Sequence, residues 1–203
     1  GGVNQATIEG RPVEIGERDT EADPGTAIAG FRSLDDAGVE TMVGPSSVVA
    51  ASLFGPALIA RLSFVSPISG TTQLDSIGGT YIWRTVPSDT VGARAQARFA
   101  YQEPGWRRMA LAYRDSKGSY SFSKASGEYF SSLGGDVIAE VELNPNATDY
   151  RSAVRTIQDA GASVVSLTAG TTITGQFIRD YVSLGADDDF AILLGNDVLT
   201  SAF

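Results

Sequence analysis

Three short stretches of small polar residues could hold a charged solute. In Gly44-Pro45-Ser46-Ser47 an apolar run gives way to an amphipathic stretch, so Ser46 and Ser47 stand at a helix start. The free N–H groups and positive end of such a helix favour a carboxylate or phosphate, and the serine hydroxyls add donors. Ser66-Pro67-Ile68-Ser69-Gly70-Thr71 follows a second apolar run as a loop of the same character. Gly195-Asn196-Asp197 follows the last run and supplies a carboxylate, which suits an ammonium. The plain alternative is that Ser-Ser caps its helix and the loops are ordinary turns. Spacing alone does not separate the two readings.

Composition narrows the chemistry further. The chain has no His and no Cys, which excludes Ser-His-Asp and Cys-His nucleophiles, c-type haem and zinc sites built from nitrogen or sulfur ligands. Catalysis would have to run on carboxylates, Tyr, Lys or Arg. Tyr120-Ser121-Phe122-Ser123-Lys124 resembles the YxxxK pair of short-chain dehydrogenases, in which a Lys one helical turn on lowers the Tyr pKa. A glycine-rich dinucleotide loop after a first strand is absent, however, and Arg107 and Arg108 stand where that family has its upstream Ser. Dehydrogenase chemistry on Tyr120 and Lys124 is therefore only a remote alternative, and the chain is expected not to be an enzyme. Asp187-Asp188-Asp189 lacks partner acids at calcium-loop spacing and reads as a solvated turn. No metal and no cofactor is implied.

Fifteen Lys+Arg against 24 Asp+Glu leave a net charge of −9, which argues against nucleic acid as a partner. Of the cations thirteen are Arg and two are Lys, Lys117 and Lys124; this bias reads as genome composition or a salty habitat and is given no functional weight. The uncharged run from Thr41 to Ala60 contains Gly44-Pro45 and Gly55-Pro56, which break a spanning helix. Gly1-Gly2-Val3 has neither a basic nor an apolar leader region, so in an exported protein the signal segment would already have been removed.

Residues that bind must be positioned, and the apolar pattern says by what. Short apolar runs alternate with amphipathic stretches, the signature of a parallel sheet covered by helices in an α/β fold. Strands are expected at Val13–Arg18, Thr41–Gly44, Ser63–Ser66, Tyr81–Arg84, Met109–Tyr113, Val137–Val141, Ser163–Leu167 and Ala191–Leu194, and helices near 24–37, 47–62, 89–102, 120–133, 150–160 and 172–184. Asp23-Pro24 pairs a capping carboxylate with a proline at the first helical position, and Thr171 could cap the last helix. Tyr150, Val154 and Ile157 share one face of their helix while Arg151, Arg155 and Asp159 fall away from it. Trp106 is expected under the following strand and Trp83 in the core. The proline after Arg84-Thr85-Val86 marks a lobe boundary, giving lobes over residues 1–85 and 86–203 that would form a cleft at the carboxyl ends of their strands.

The order of Arg18-Asp19-Thr20, Asp23-Pro24, Val43-Gly44-Pro45-Ser46-Ser47, Phe64-Val65-Ser66-Pro67, Arg114-Asp115, Tyr120 and Leu194-Gly195-Asn196-Asp197 resembles the type I periplasmic binding proteins. The branched-chain amino-acid (Leu/Ile/Val) binding branch of the ABC importers matches best. The resemblance implies a two-lobed receptor that closes on a small solute. It places the ligand carboxylate on Ser47, beside Ser46, and on backbone amides at Ile68 and Gly70. Gly70 stands where the family often has Thr, with Ser69 or Thr71 as replacement hydroxyls. It places the ligand ammonium on Asp197, one methylene shorter than the usual Glu, and an aromatic contact on Tyr120; a second aromatic would fall on Gly170, which cannot supply it. An ABC permease is the implied partner and the periplasm or cell exterior the implied location, with any lipid anchor in a segment outside these residues.

The resemblance leads us to expect a chain incomplete at both ends, without the family's first strand and helix of the N-terminal lobe and without the return segment after Phe203. The isolated chain is therefore expected to bind weakly. A sensory domain of a regulator or receptor is the other binding role the sequence allows.

Overall fold

In the computed structural model, which describes residues 7–8, 10–77, 79–186, 189–195 and 198, the chain divides into two units, Gly1–Ser69 with Ile77–Val86 and Gly70–Ser76 with Pro87–Phe203. The first unit opens with a small antiparallel hairpin, β1 (Thr7–Ile8) and β2 (Arg11–Pro12). Helix α1 (Pro24–Asp36) begins as its sequence dictates: the Asp23 carboxylate accepts the Thr26 N–H at 2.7 Å, and Pro24 takes the position whose N–H would have no partner. Next come β3 (Thr41–Val43), α2 (Ser47–Ala50), a 3-10 turn at Ala51–Leu53, α3 (Phe54–Ala60) and β4 (Ser63–Ser66). A one-turn helix α4 (Leu74–Ile77) precedes β5 (Ile82–Arg84).

The three strands pair in parallel in the order β3-β4-β5. Phe64 and Ile82 are buried on one face, at 0% and 5% exposure. The pleat sends alternate residues to the other face, where Val43, Val65 and Trp83 lie in register across the three strands. Trp83, expected in the core, is instead 56% exposed. Its strand is correct, but the alternation puts the indole on the open side. The expected strand at Val13–Arg18 is also corrected: these residues have no regular secondary structure, and Ile15 is 45% exposed. Val13 and Ile15 alternate with polar neighbours as a strand would, yet no described strand pairs with them, and a strand is made by its ladder rather than by its pattern.

The second unit is a parallel sheet sandwiched between helices. Helix α5 (Asp89–Gln102) leads to β6 (Arg108–Arg114), α6 (Lys117–Ser132), β7 (Asp136–Leu143), α7 (Arg151–Asp159), β8 (Val164–Thr168), α8 (Gly170–Ser183) and β9 (Ala191–Leu194), with strand order β7-β6-β8-β9. Met109, Leu111, Tyr113 and Val164 face a core with Ala97, Ala100 and Phe130. The alternate residues Ala110, Ala112, Val165 and Leu167 face one with Val154, Ile157, Ile173 and Phe177. Central strands buried on both faces are the mark of a doubly covered parallel sheet. Trp106 packs against the first of these cores, as expected. Helix α8 starts at Gly170 with no side-chain cap, so Thr171 does not cap it; Gly170, at φ +73°, takes a left-handed conformation that a side chain would resist and begins the helix one residue earlier.

The face expected of α7 is observed, with Tyr150, Val154 and Ile157 buried and Arg151, Arg155 and Asp159 exposed. At its start Asp149 accepts from the Arg151 side chain and from the Arg151 N–H at 2.8 Å, which holds its carboxyl at about 2, below the ordinary 3.8. The Thr26 N–H lowers Asp23 likewise. A carboxyl lowered in the folded state contributes stability that is present above its unfolded value and lost as pH falls through its folded value. Stability is therefore expected to decline from about pH 4 towards pH 2, and Asp149→Asn to make that decline shallower in acid titrations followed by circular dichroism.

Candidate functional site

Both units present polar residues at the carboxyl ends of their strands, where open parallel sheets bind ligands. In the first unit one buried hydroxyl organises two loops. Ser66, fully buried at the end of β4, donates through Oγ to the Pro45 carbonyl at 2.5 Å and accepts the Ser69 N–H at 3.0 Å. That links the segment entering Ser46-Ser47 to the loop through Ile68 and Ser69, so these predicted residues come together within one unit. Ser46 occupies the cap position of α2 with extended backbone, yet its side chain makes no capping bond, so the ordinary capping role read from the sequence does not account for it. Ser69 is fully buried, and its Oγ has no hydrogen-bond partner among the described residues. Ile68 is 65% exposed.

In the second unit the chain order places a switch point between β6 and β8: β7 is added on one side of β6 and β8 on the other. The loop leaving β6 there runs straight into α6, which carries Tyr120. Its ring stands edge-on to Tyr113 at 5.5 Å between centroids, and it remains 48% exposed. Burial, with Glu140 and Glu142 near by, pushes the Tyr113 phenol above its ordinary value of 10.0 and keeps it neutral. The segment from Gly70 is fastened to this unit at several points. Its Gly70 carbonyl accepts the Asp89 N–H at 2.7 Å, Asp75 accepts from Ser88 at 2.7 Å, and Thr72 shares hydrogen bonds with Ser121 at 2.8 and 3.1 Å. A Cβ on Gly70 would fall 2.1 Å from Asp89 Oδ1, so any larger residue at this position would have to move Asp89.

A groove of about 550 Å³ opens in this unit between α5, α6 and the Thr71–Gln73 segment, and both Thr71 and Tyr120 line it. Small-molecule sites run to roughly 300–1,000 Å³, so its size suits a small solute. The groove also draws in Arg94, Lys117, Lys124 and Tyr129, none of which the sequence singled out as binding residues. The one available signal was that Lys117 and Lys124 lie seven apart, on one face of a helix. Lys124 sits 3.0 Å from Glu140, and that partner raises its ammonium above the ordinary value of 10.5. Its partner is thus a carboxylate rather than the Tyr120 phenol that dehydrogenase chemistry needs. Asp197 and Asn196, like Asp187 and Asp188, lie outside the described residues. Asp189 is exposed and accepts from Gln158 at 2.6 Å. Among the described residues no group of three or more Asp or Glu could hold a metal ion, and no helix is long and apolar enough to cross a membrane.

Parallel strands, polar strand ends and a solute-sized groove fit many α/β folds, and comparison decides among them. A family model described as periplasmic binding protein matches residues 1–202. The chain belongs to the periplasmic binding protein family. Solved structures agree on the type I fold of these proteins. A solute-binding protein of an ABC transporter from R. palustris, in complex with 4-hydroxybenzoate, superposes with a TM-score of 0.81 at 21% identity, covering 96% of this chain and 54% of that one. The leucine-binding protein of Thermotoga maritima gives 0.80 at 21% identity, over 95% and 55%. A substrate-binding protein from Sphaerobacter thermophilus gives 0.82 at 23%, over 94% and 53%. The chain spans about half the length of these periplasmic binding proteins. No curated protein matches by sequence. The family consists of solute-binding proteins rather than enzymes, which disposes of the dehydrogenase alternative.

Proposed function

We propose that the protein to which this chain belongs is the extracytoplasmic receptor of an ABC importer. It captures an amino acid or a related small carboxylate between two lobes and delivers it to a permease from the periplasm or the cell exterior. The observation that carries this reading is the family match over residues 1–202. The structural neighbours support it, one binding 4-hydroxybenzoate and another named for leucine. Ser47, the Ser46 and Ser69 hydroxyls and the backbone at Ile68 and Gly70 would receive the carboxylate, with Thr71 and Tyr120 beside the solute and Asp197 opposite any ammonium. Because different elements take the two poles, ligand would favour a closed arrangement by hinge motion, which a permease can read.

A thermal-shift screen of the full-length protein against leucine, isoleucine, valine, benzoate and 4-hydroxybenzoate tests this. A true ligand at a hundredfold above its Kd adds about 2.7 kcal/mol, enough to raise the midpoint by several degrees. Asp197→Ala is expected to erase the response to amino acids and to spare any response to the aromatic acids. A midpoint unmoved by every member of the panel overturns the receptor reading for these solutes.

A further inference from the structure

Of the four asparagines in the chain, Asn4, Asn144, Asn146 and Asn196, only Asn146 has a hydroxyl residue two positions on with a residue other than proline between, in Asn146-Ala147-Thr148. This is the Asn-X-Ser/Thr pattern at which a saccharide is joined to a carboxamide nitrogen, and the transfer needs an accessible surface loop. Asn146 lies on one. The segment 144–150 joins β7, which ends at Leu143, to α7, which starts at Arg151, and β7 is an edge strand of its sheet. Asn146 and Thr148 are exposed, while Ala147 between them packs against the core that holds Leu143, Tyr150 and Val154. The small central residue thus turns inward, and the carboxamide and hydroxyl on either side stay open to an approaching enzyme.

Other residues give the segment its shape. Asn144 accepts the Asn146 N–H through Oδ1 at 2.9 Å, and its carbonyl accepts the Ala147 N–H at 3.1 Å and the Tyr150 hydroxyl at 2.8 Å. Ordinary turn chemistry therefore accounts for Asn144, whose side chain bonds the backbone two residues on. It leaves the Asn146 and Thr148 side chains without a part: neither makes a hydrogen bond among the described residues. A group added to Asn146 would break no contact that holds the turn.

We propose that Asn146 is the acceptor of an N-linked saccharide. Its Nδ2 attacks the anomeric carbon of a saccharide carried on a lipid-linked phosphate. The carbon–nitrogen bond forms as the bond from that carbon to the phosphate oxygen breaks. The lipid phosphate leaves with the electron pair, Nδ2 gives up one proton to a base of the transferase, and nothing is oxidised or reduced. The proposal rests on the receptor reading, because transfer from a lipid carrier acts on exported chains.

Mass spectrometry of the full-length protein, made in its own organism and recovered from the cell envelope, tests it. Cleavage after Lys124 and Arg151 isolates both Asn144 and Asn146 in the tryptic peptide 125–151. Fragmentation of that peptide is expected to place a saccharide mass on Asn146 and none on Asn144, where Pro145 blocks the pattern. Asn146→Gln and Thr148→Ala are each expected to lose the mass, and Thr148→Ser to keep it. Both side chains are exposed, so these variants should melt with the wild type. An unmodified Asn146 in protein from the envelope overturns the proposal and leaves the receptor reading standing. A mass that persists in Thr148→Ala also overturns it, since a modification indifferent to that hydroxyl is not this transfer. Protein confined to the cytosol and unmodified overturns the proposal and the receptor reading together.

Discussion

Phe177→Ala is expected to destabilise the second unit by roughly 3–5 kcal/mol, the usual cost of deleting a buried aromatic ring and leaving its cavity. The ring is 0% exposed and sits where α7, α8 and the sheet meet, among Val154, Ile157, Val165 and Leu167. Domains are stable by about 5–15 kcal/mol in all, so this one change removes roughly a fifth or more of the reserve, and the melting temperature should fall by roughly 10–20 °C. Phe99→Ala is the matched control. That side chain has the same chemistry but is 49% exposed on α5, and its loss should cost less than about 1 kcal/mol. Equal effects in urea titrations would mean that Phe177 does not occupy the core.

The second large effect is expected at Gln96. Its Oε1 accepts from Ser166 at 2.6 Å and Ser126 at 3.1 Å, both fully buried, and its Nε2 donates to the Leu194 carbonyl at 3.2 Å. Gln96→Leu leaves two buried hydroxyls and a strand-end carbonyl without these partners. Each unsatisfied group costs about 1–3 kcal/mol, so a loss on the order of 2–4 kcal/mol is expected once some relax. Removing the two hydroxyls as well, in Gln96→Leu with Ser126→Ala and Ser166→Ala, should recover a large part of it, because only the Leu194 carbonyl is then left without its partner. Failure of the triple variant to recover would show that Gln96 acts by packing rather than hydrogen bonding. Leu194 ends β9, directly before Gly195-Asn196-Asp197, so Gln96→Leu is also expected to weaken any solute that depends on Asp197.

What the sequence made legible was mostly local. Asp23-Pro24 fixes the start of α1 through bonds within one turn, and the buried face of α7 follows from spacing within nine residues. A central strand such as β6, buried from Met109 to Tyr113, stands out as a continuous apolar run. The misreadings needed distant information. Val13–Arg18 has a strand's alternation without a partner's hydrogen bonds, Trp83 lies on the open rather than the buried side of its sheet, and α4 is a single turn too short for any period to mark. The residues that line the groove divide in the same way. Thr71 and Tyr120 are candidates that motif order suggests, whereas its charged residues Arg94 and Lys117 are not. Arg94 stands 23 positions before Lys117, and only the packing of α5 against α6 brings both to one groove.

The two tryptophans fall one in each unit and in opposite surroundings. Trp83 is 56% exposed on β5, and Trp106 is partly buried against the Met109–Phe130 core. An indole in water emits to the red of one in an apolar setting and is reached by an aqueous quencher such as iodide. The chain therefore carries its own pair of distinguishable fluorophores. Iodide should silence Trp83 first, leaving Trp106 as a label for the second unit, so loss of structure in either half can be followed separately without attaching a dye.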